Sequence, residues 1–101
     1  MAALLLLACG VGSTGGDEPR RLPGQITDEV GALAGRTGEV EDAVRRLQDE
    51  TGLQLFVVFV RSFGSWSGPE WADETASLSG LGDRDALLAV ATGDRIYAYV
   101  V

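Results

Sequence analysis

Two uninterrupted apolar runs, one within LQLFVVFVRS (residues 53–62) and one within DALLAVAT (residues 85–92), restrict what this chain can fold into. A strand that faces water on one side alternates apolar and polar residues. A run without alternation belongs to a strand covered on both faces. Each run is too short to be a typical buried helix, and each is rich in β-branched or aromatic residues or bounded by Gly and Asp. Two covered strands need covering layers, and the intervening residues supply helix patterns. In TGEVEDAVRRLQDETG, Val40, Ala43, Val44 and Leu47 recur at helical spacing. Thr37 is the expected N-cap, Glu39, Glu41 and Asp42 favour the positive helix start, and Gly52 is the expected stop.

A second helix is announced by Ser67-Gly68-Pro69-Glu70, which has the spacing of a capping box with Pro near the first helical position. It is expected from Pro69 to about residue 78, with Trp71, Ala72, Thr75, Ala76 and Leu78 inward. The two Trp residues, Trp66 and Trp71, are read as cover for a sheet face. Thr92-Gly93-Asp94-Arg95 is a tight turn, so RIYAYVV must return antiparallel to the run before it. ITDEVGALAG, from Ile26, reads as a strand end followed by a turn of helix. Helices that alternate with doubly buried strands predict an α/β fold: a mixed β-sheet sandwiched between α-helices.

Composition removes whole classes of chemistry. The 101 residues hold 15 acidic and 8 basic side chains, a formal charge of −7, and no His. Every basic residue is Arg. A chain without a basic stripe is not expected to bind nucleic acid, where phosphate neutralisation supplies much of the affinity. Without His there is no Ser-His-Asp or Cys-His catalysis and no imidazole proton shuttle within these residues. Carboxylates, hydroxyls and Arg are what remain for chemistry.

The only cysteine, Cys9, excludes an internal disulfide. It closes the apolar opening MAALLLLACG, which looks like a bacterial lipobox. Residues 1–9 are therefore expected to be a signal segment with Cys9 as the lipid attachment site, although no positive residue precedes the apolar run. The run is far short of the roughly 20 residues that span a bilayer. Residues 10–25, rich in Gly and Pro, read as a flexible tether. The expected localisation is the cell envelope, on the extracytoplasmic face, with the membrane surface reached through the lipid. RIYAYVV is apolar to its last residue, and the domain is expected to continue beyond residue 101.

The ordered set ITDEVGAL, ETGLQLFVVFVRS, WADETA and GLGDRDALLAVATGDRIYAYVV resembles the TPM domain family across residues 26–101. That family includes bacterial secreted or membrane-anchored proteins and a thylakoid-lumen protein linked to photosystem repair. The resemblance implies a mixed sheet flanked by helices, in agreement with the reading of the residues. It also implies two activities known in the family, acid phosphatase action in plant members and calcium binding in some. The family's closing helices would fall after residue 101.

Asp28 matches the Asp of the family's opening motif, and Asp83 and Asp85 lie in the loop before the second apolar run. Calcium takes several carboxylate and carbonyl oxygens, and sites in open α/β sheets gather at strand ends. Asp28, Asp83 and Asp85 are thus the expected metal ligands, if their loops meet at one edge of the sheet. The competing reading makes Asp28 the head of a turn and Asp85 a strand-end residue. Asp94 reads as a turn residue, Arg84 and Arg95 as partners of nearby carboxylates, and Ser67 as a helix cap. Ser62 and Ser65 lack an activating His. Two functions follow as expectations: an envelope-tethered module that binds membrane-protein partners, with calcium as a structural ligand, or a metal-dependent acid phosphatase.

Overall fold

The computed structural model describes residues 16–101. Its elements run β1 (Ile26–Asp28), α1 (Thr37–Thr51), β2 (Gln54–Val60), α2 (Gly68–Leu78), β3 (Asp85–Ala91) and β4 (Ile96–Val100). The strands form one mixed sheet in the order β1-β2-β3-β4. The first three are parallel and β4 is antiparallel to β3. The two apolar runs are neighbours, paired over seven residues from Gln54↔Asp85 to Val60↔Ala91.

Side chains alternate between the two faces of this sheet. Val58, Val60, Leu87, Ala89, Ala91 and Ala98 face α2, where Trp71, Ala72 and Ala76 complete the core with Phe63. Leu55, Val57, Phe59 and Leu88 face α1, whose Val44 is its one buried residue. The two helices therefore lie on opposite faces. Both are crossovers between adjacent parallel strands, and both step the same way across the sheet. Such a pair must have opposite hands, so one of the two departs from the right-handed rule obeyed in about 98 % of βαβ units.

The α2 contact is tight because Gly68 sits at its start. A Cβ added there would stand 3.2 Å from the Ala98 Cβ and 3.5 Å from the Phe63 ring. Ser67 caps the helix, its hydroxyl accepting from the Glu70 amide at 3.1 Å. The buried row 71, 72, 75, 76 continues to Ser79, not Leu78. Leu78, expected inward, is turned out and 48 % exposed. At α1 the cap differs as well: Arg36 holds the N-cap position without a side-chain bond, and Thr37 is already helical. The turn before it supplies the start, since the Arg36 carbonyl accepts from both Glu39 and Val40 amides. Gly52 ends the helix in the left-handed conformation, as its position predicts.

The expected tether at residues 10–25 requires correction over its described part. Residues 17–22 form a strap along α2. The Trp71 indole N–H donates to the Asp17 carbonyl at 2.9 Å, the Arg20 amide donates to the Thr75 hydroxyl at 3.3 Å, and the Leu22 amide donates to the Ser79 hydroxyl at 2.9 Å. Positions 71, 75 and 79 recur one turn apart, so a single row of α2 satisfies the backbone of the strap. Leu22 is driven into the core cluster, 8 % exposed. Composition marked this stretch as solvated because its partners are side chains more than fifty residues away. Leu22→Ala should lower the stability of the domain by about 2 kcal/mol in urea unfolding, at the small end for a buried Leu. A free tether would give no change.

Candidate functional site

Parallel strands carry the chain in one direction, so the ends of β1, β2 and β3 share one rim. In open α/β sheets this carboxyl rim is where sites form. Asp28 and Glu29 leave β1 here, Arg61 and Ser62 leave β2, and the Asp94 turn follows β3. Asp17 joins them from the strap. Each aspartate is occupied with backbone amides. Asp28 Oδ1 accepts from the Val30 and Ala32 amides at 3.2 and 2.9 Å, and Oδ2 accepts from Leu33 at 2.9 Å. Asp94 Oδ2 accepts from the Ser62 hydroxyl at 2.9 Å and the Phe63 amide at 3.1 Å. Asp17 Oδ2 accepts from the Arg61 and Ser62 amides at 3.0 and 3.2 Å. Arg20 lies between Asp17 and Glu29 and pairs with both, tying the strap to the end of β1.

These bonds give the rim its shape. Asp28 closes the loop that leaves β1, and Asp17 and Asp94 both hold the loop that leaves β2. The Leu33 amide above all, with those of Ala32, Val30 and Gly31, holds the Asp28 carboxyl below the usual carboxylate range, while partial desolvation opposes the shift. Ser62 is the hydroxyl nearest a base, through Asp94. Its oxygen also accepts the Gly64 amide at 2.9 Å, so it serves the same turn. The pairing of Ser62 with Asp94 and the arrival of Asp17 at this rim leave no signal in the residue order. Their meeting depends on β2 and β3 being adjacent and parallel, which spacing alone does not reveal.

Asp83 and Asp85 stand at the other rim. Asp85 opens β3 opposite Gln54, whereas Asp28 ends β1 opposite Phe59. Five residues of strand separate the two levels, about 16 Å at roughly 3.3 Å per residue. The expected ion site of Asp28, Asp83 and Asp85 is therefore not assembled. Asp85 instead closes the turn into β3, its Oδ2 accepting the Gly82 amide at 2.8 Å. Among the described residues no group of three or more Asp, Glu, Cys or His is placed to hold a metal ion. Arg84 packs against Gly52, and neither Arg84 nor Arg95 closes an ion pair among the described residues. Cys9 lies outside the described residues.

The second feature is apolar. Val40, Ala43, Val44 and Leu47 of α1 stand over Leu55, Val57, Phe59 and Leu88, leaving an open groove of about 630 Å³. Beyond it the same sheet face carries Tyr97 and Tyr99, 67 % and 66 % exposed, beside Val90 and Leu88. This face has no helix over β3 and β4 among the described residues, because the one helix on this side packs on β2. Unbroken apolar runs predict full cover on both faces, and here one face is partly open. Its local trace is the alternation of Ile96, Ala98 and Val100 with Tyr97 and Tyr99, which assigns large half-polar rings to one face.

A four-stranded mixed sheet with one helix on each face, an acid-rich rim and an open apolar face defines a small α/β domain. The chain belongs to the TPM domain family, which it matches over residues 26–101. It is 43 % identical over 103 aligned residues to the UPF0603 proteins MT2410 and Rv2345 of two Mycobacterium tuberculosis strains. The match takes in 97 % of this chain and 16 % of each relative, so the chain spans about one sixth of their length. The fold is also that of two N-terminal domains solved by NMR. The one from the Corynebacterium glutamicum cg2496 protein aligns with TM-score 0.69 at 21 % identity, covering 83 % of this chain and 57 % of that one. The one from a P. gingivalis protein aligns with TM-score 0.66 at 22 % identity, covering 75 % and 52 %.

Asp28 makes a pH-dependent contribution to this rim. Its pKa is lower in the folded state than in the unfolded chain, where an Asp titrates at about 4. The contribution is thus fully present above that value and lost as pH falls through the folded one. At neutral pH Asp28→Asn should be less stable than the parent. That difference should shrink on acidification below about pH 4, as followed by chemical unfolding at each pH. A difference unaffected by acid would contradict the assignment.

Proposed function

We propose that this TPM domain is a binding and assembly module of the cell envelope, presenting its open apolar face to membrane-protein partners. The observation that carries the reading is that face: Phe59, Leu55 and Leu88 in a groove, continued by the exposed rings of Tyr97 and Tyr99. Tyr rings of this kind are enriched where proteins meet, since each offers a large rigid surface and a polar tip. An apolar patch rimmed by polar residues is a recurrent mark of interaction surfaces. The lipobox-like start ending at Cys9 supports an anchor that would hold the module at the membrane.

The carboxyl rim favours this reading over phosphomonoester hydrolysis. Asp17, Asp28 and Asp94 each hold backbone amides, and Ser62 closes a turn, so these groups have structural employment. Asp28, Asp83 and Asp85 do not assemble into a calcium site, so calcium carries no part of this proposal.

A photo-crosslinking side chain at position 99 of the full-length protein, expressed in an envelope that contains its natural partners, tests the module. The proposal predicts a defined membrane-protein adduct that is lost when Phe59→Asp spoils the groove in a folded variant. Adducts unchanged by Phe59→Asp would contradict it. So would turnover of p-nitrophenyl phosphate at mildly acid pH with millimolar calcium that disappears in a folded Asp94→Ala variant.

A further inference from the structure

The strap begins with a pin. Every polar group of Asp17 is engaged. Its amide donates to the Ser62 carbonyl at 2.9 Å, its carbonyl accepts from the Trp71 indole, and its Oδ2 accepts from the Arg61 and Ser62 amides. Its Oδ1 lies 3.7 Å from the Arg20 guanidinium. One residue earlier, Gly16 is pressed on Gly64. A Cβ added at Gly16 would stand 2.6 Å from the Gly64 N and Cα, so a side chain there would collide with backbone. The φ of 97° at Gly16 calls for glycine as well. To cover one row of α2, the strap needs only its bonds to Trp71, Thr75 and Ser79. The bonds of Asp17 to the loop after β2 do something more: they fix the point at which the N-terminal chain leaves the domain. That point is the carboxyl rim.

The pin changes both the reach and the exit of that chain. From Cys9 to Gly16 are seven residues, about 25 Å at roughly 3.3–3.6 Å per residue fully extended. A tether free as far as Ile26 would span 17 residues and reach more than twice as far. It would also leave the domain from the start of β1. The strap, running back along α2, carries the exit to the opposite end of the strands.

We propose that the strap orients the module on the membrane: with Cys9 anchored, the rim of Asp17, Asp28 and Asp94 faces the lipid headgroups, and the rim of Asp83 and Asp85 points away from them. The inference rests on the reading of Cys9 as the anchor and adds the direction in which the domain is held. The carboxylates of the near rim are not bare, since Asp17, Asp28 and Asp94 each hold backbone amides and Arg20 sits between Asp17 and Glu29. Because the rim is one end of the parallel strands, the strands stand up from the membrane and both sheet faces are held side-on. Proteins embedded in the same membrane then meet those faces laterally.

Phosphatidylcholine vesicles containing a maleimide-headgroup lipid and a rhodamine-headgroup lipid provide the test. Cys9 is the only thiol of the chain, so its sulfur adds across the maleimide double bond and every copy is held at one position by a thioether. A fluorescent side chain is placed at position 65, in the loop after β2, or at position 83, before β3; both positions are exposed. The two rims stand about 20 Å apart along the strands. Energy transfer to rhodamine should be several-fold stronger from position 65 than from position 83. A Gly-Ser insertion after Gly10 that doubles the leash leaves the fold untouched and should remove most of that difference. Asp17→Ala/Leu22→Ala, with the circular dichroism of the parent, should do the same by releasing the strap. Equal transfer from the two positions, stronger transfer from position 83, or a difference that survives both changes would overturn the orientation. Acyl labelling of Cys9 in the native envelope is read separately: a Cys9 without lipid there would overturn the anchor, whereas the vesicles decide the orientation.

Discussion

The structure depends on the seven-residue parallel pairing of β2 with β3. Two apolar runs laid side by side make a ribbon with two greasy faces, and each face must be covered. The α2 face is covered by a full set of partners. Trp71, Phe63, Val58, Val60 and Leu87 are all inaccessible to solvent there. Burial of one large apolar side chain is worth roughly 1.5–3 kcal/mol, so this cluster is the main source of stability. Phe63 and Trp71 stack at 5.0 Å with their rings tilted by 34°, within the range of favourable aromatic pairs. Among the described residues the α1 face is only partly covered, and the groove and the tyrosine rows are the result. Core and surface are two sides of one ribbon.

The same pairing decides where charge collects. Because β1, β2 and β3 run in one direction, loops leaving the strands meet at one rim and loops joining them meet at the other. Asp17, Asp28 and Asp94 share the first rim, while Asp83 and Asp85 stand at the second. At the first rim carboxylates replace regular backbone partners for amides released where strands end, which is cheaper than leaving those donors unpaired. The strap adds a further tie, since one row of α2 bonds its backbone and Arg20 joins it to Glu29.

Much of this fold was legible in the sequence, and for physical reasons. Unbroken apolar runs have to become strands, and both did, as central neighbours in the sheet. The Ser67–Glu70 spacing marked a helix start that the hydroxyl now caps, and the short turn at residues 92–95 could only reverse the chain. What lay beyond reach was relational. The doubly apolar runs called for helices on both faces, and α1 and α2 supply them, but nothing in the order of residues states which helix takes which face or that one crossover has the uncommon hand. Nothing placed Asp28 and Asp85 at opposite rims, because that requires strand direction as well as strand existence. The strap was hidden because Trp71 and Thr75 were read only as inward members of a helix, and Ser79 falls past its expected end. Only the tyrosines of β4 left a local trace of the open face.

Among the described residues the two faces are covered unequally, and native-state hydrogen exchange measures this directly. Amides of β2, β3 and α2 should exchange only through global unfolding and share the largest opening free energy, whereas those of α1 should open locally at a lower one. Protection of α1 equal to that of α2, or opening of α2 ahead of α1, would contradict a domain held together from one face.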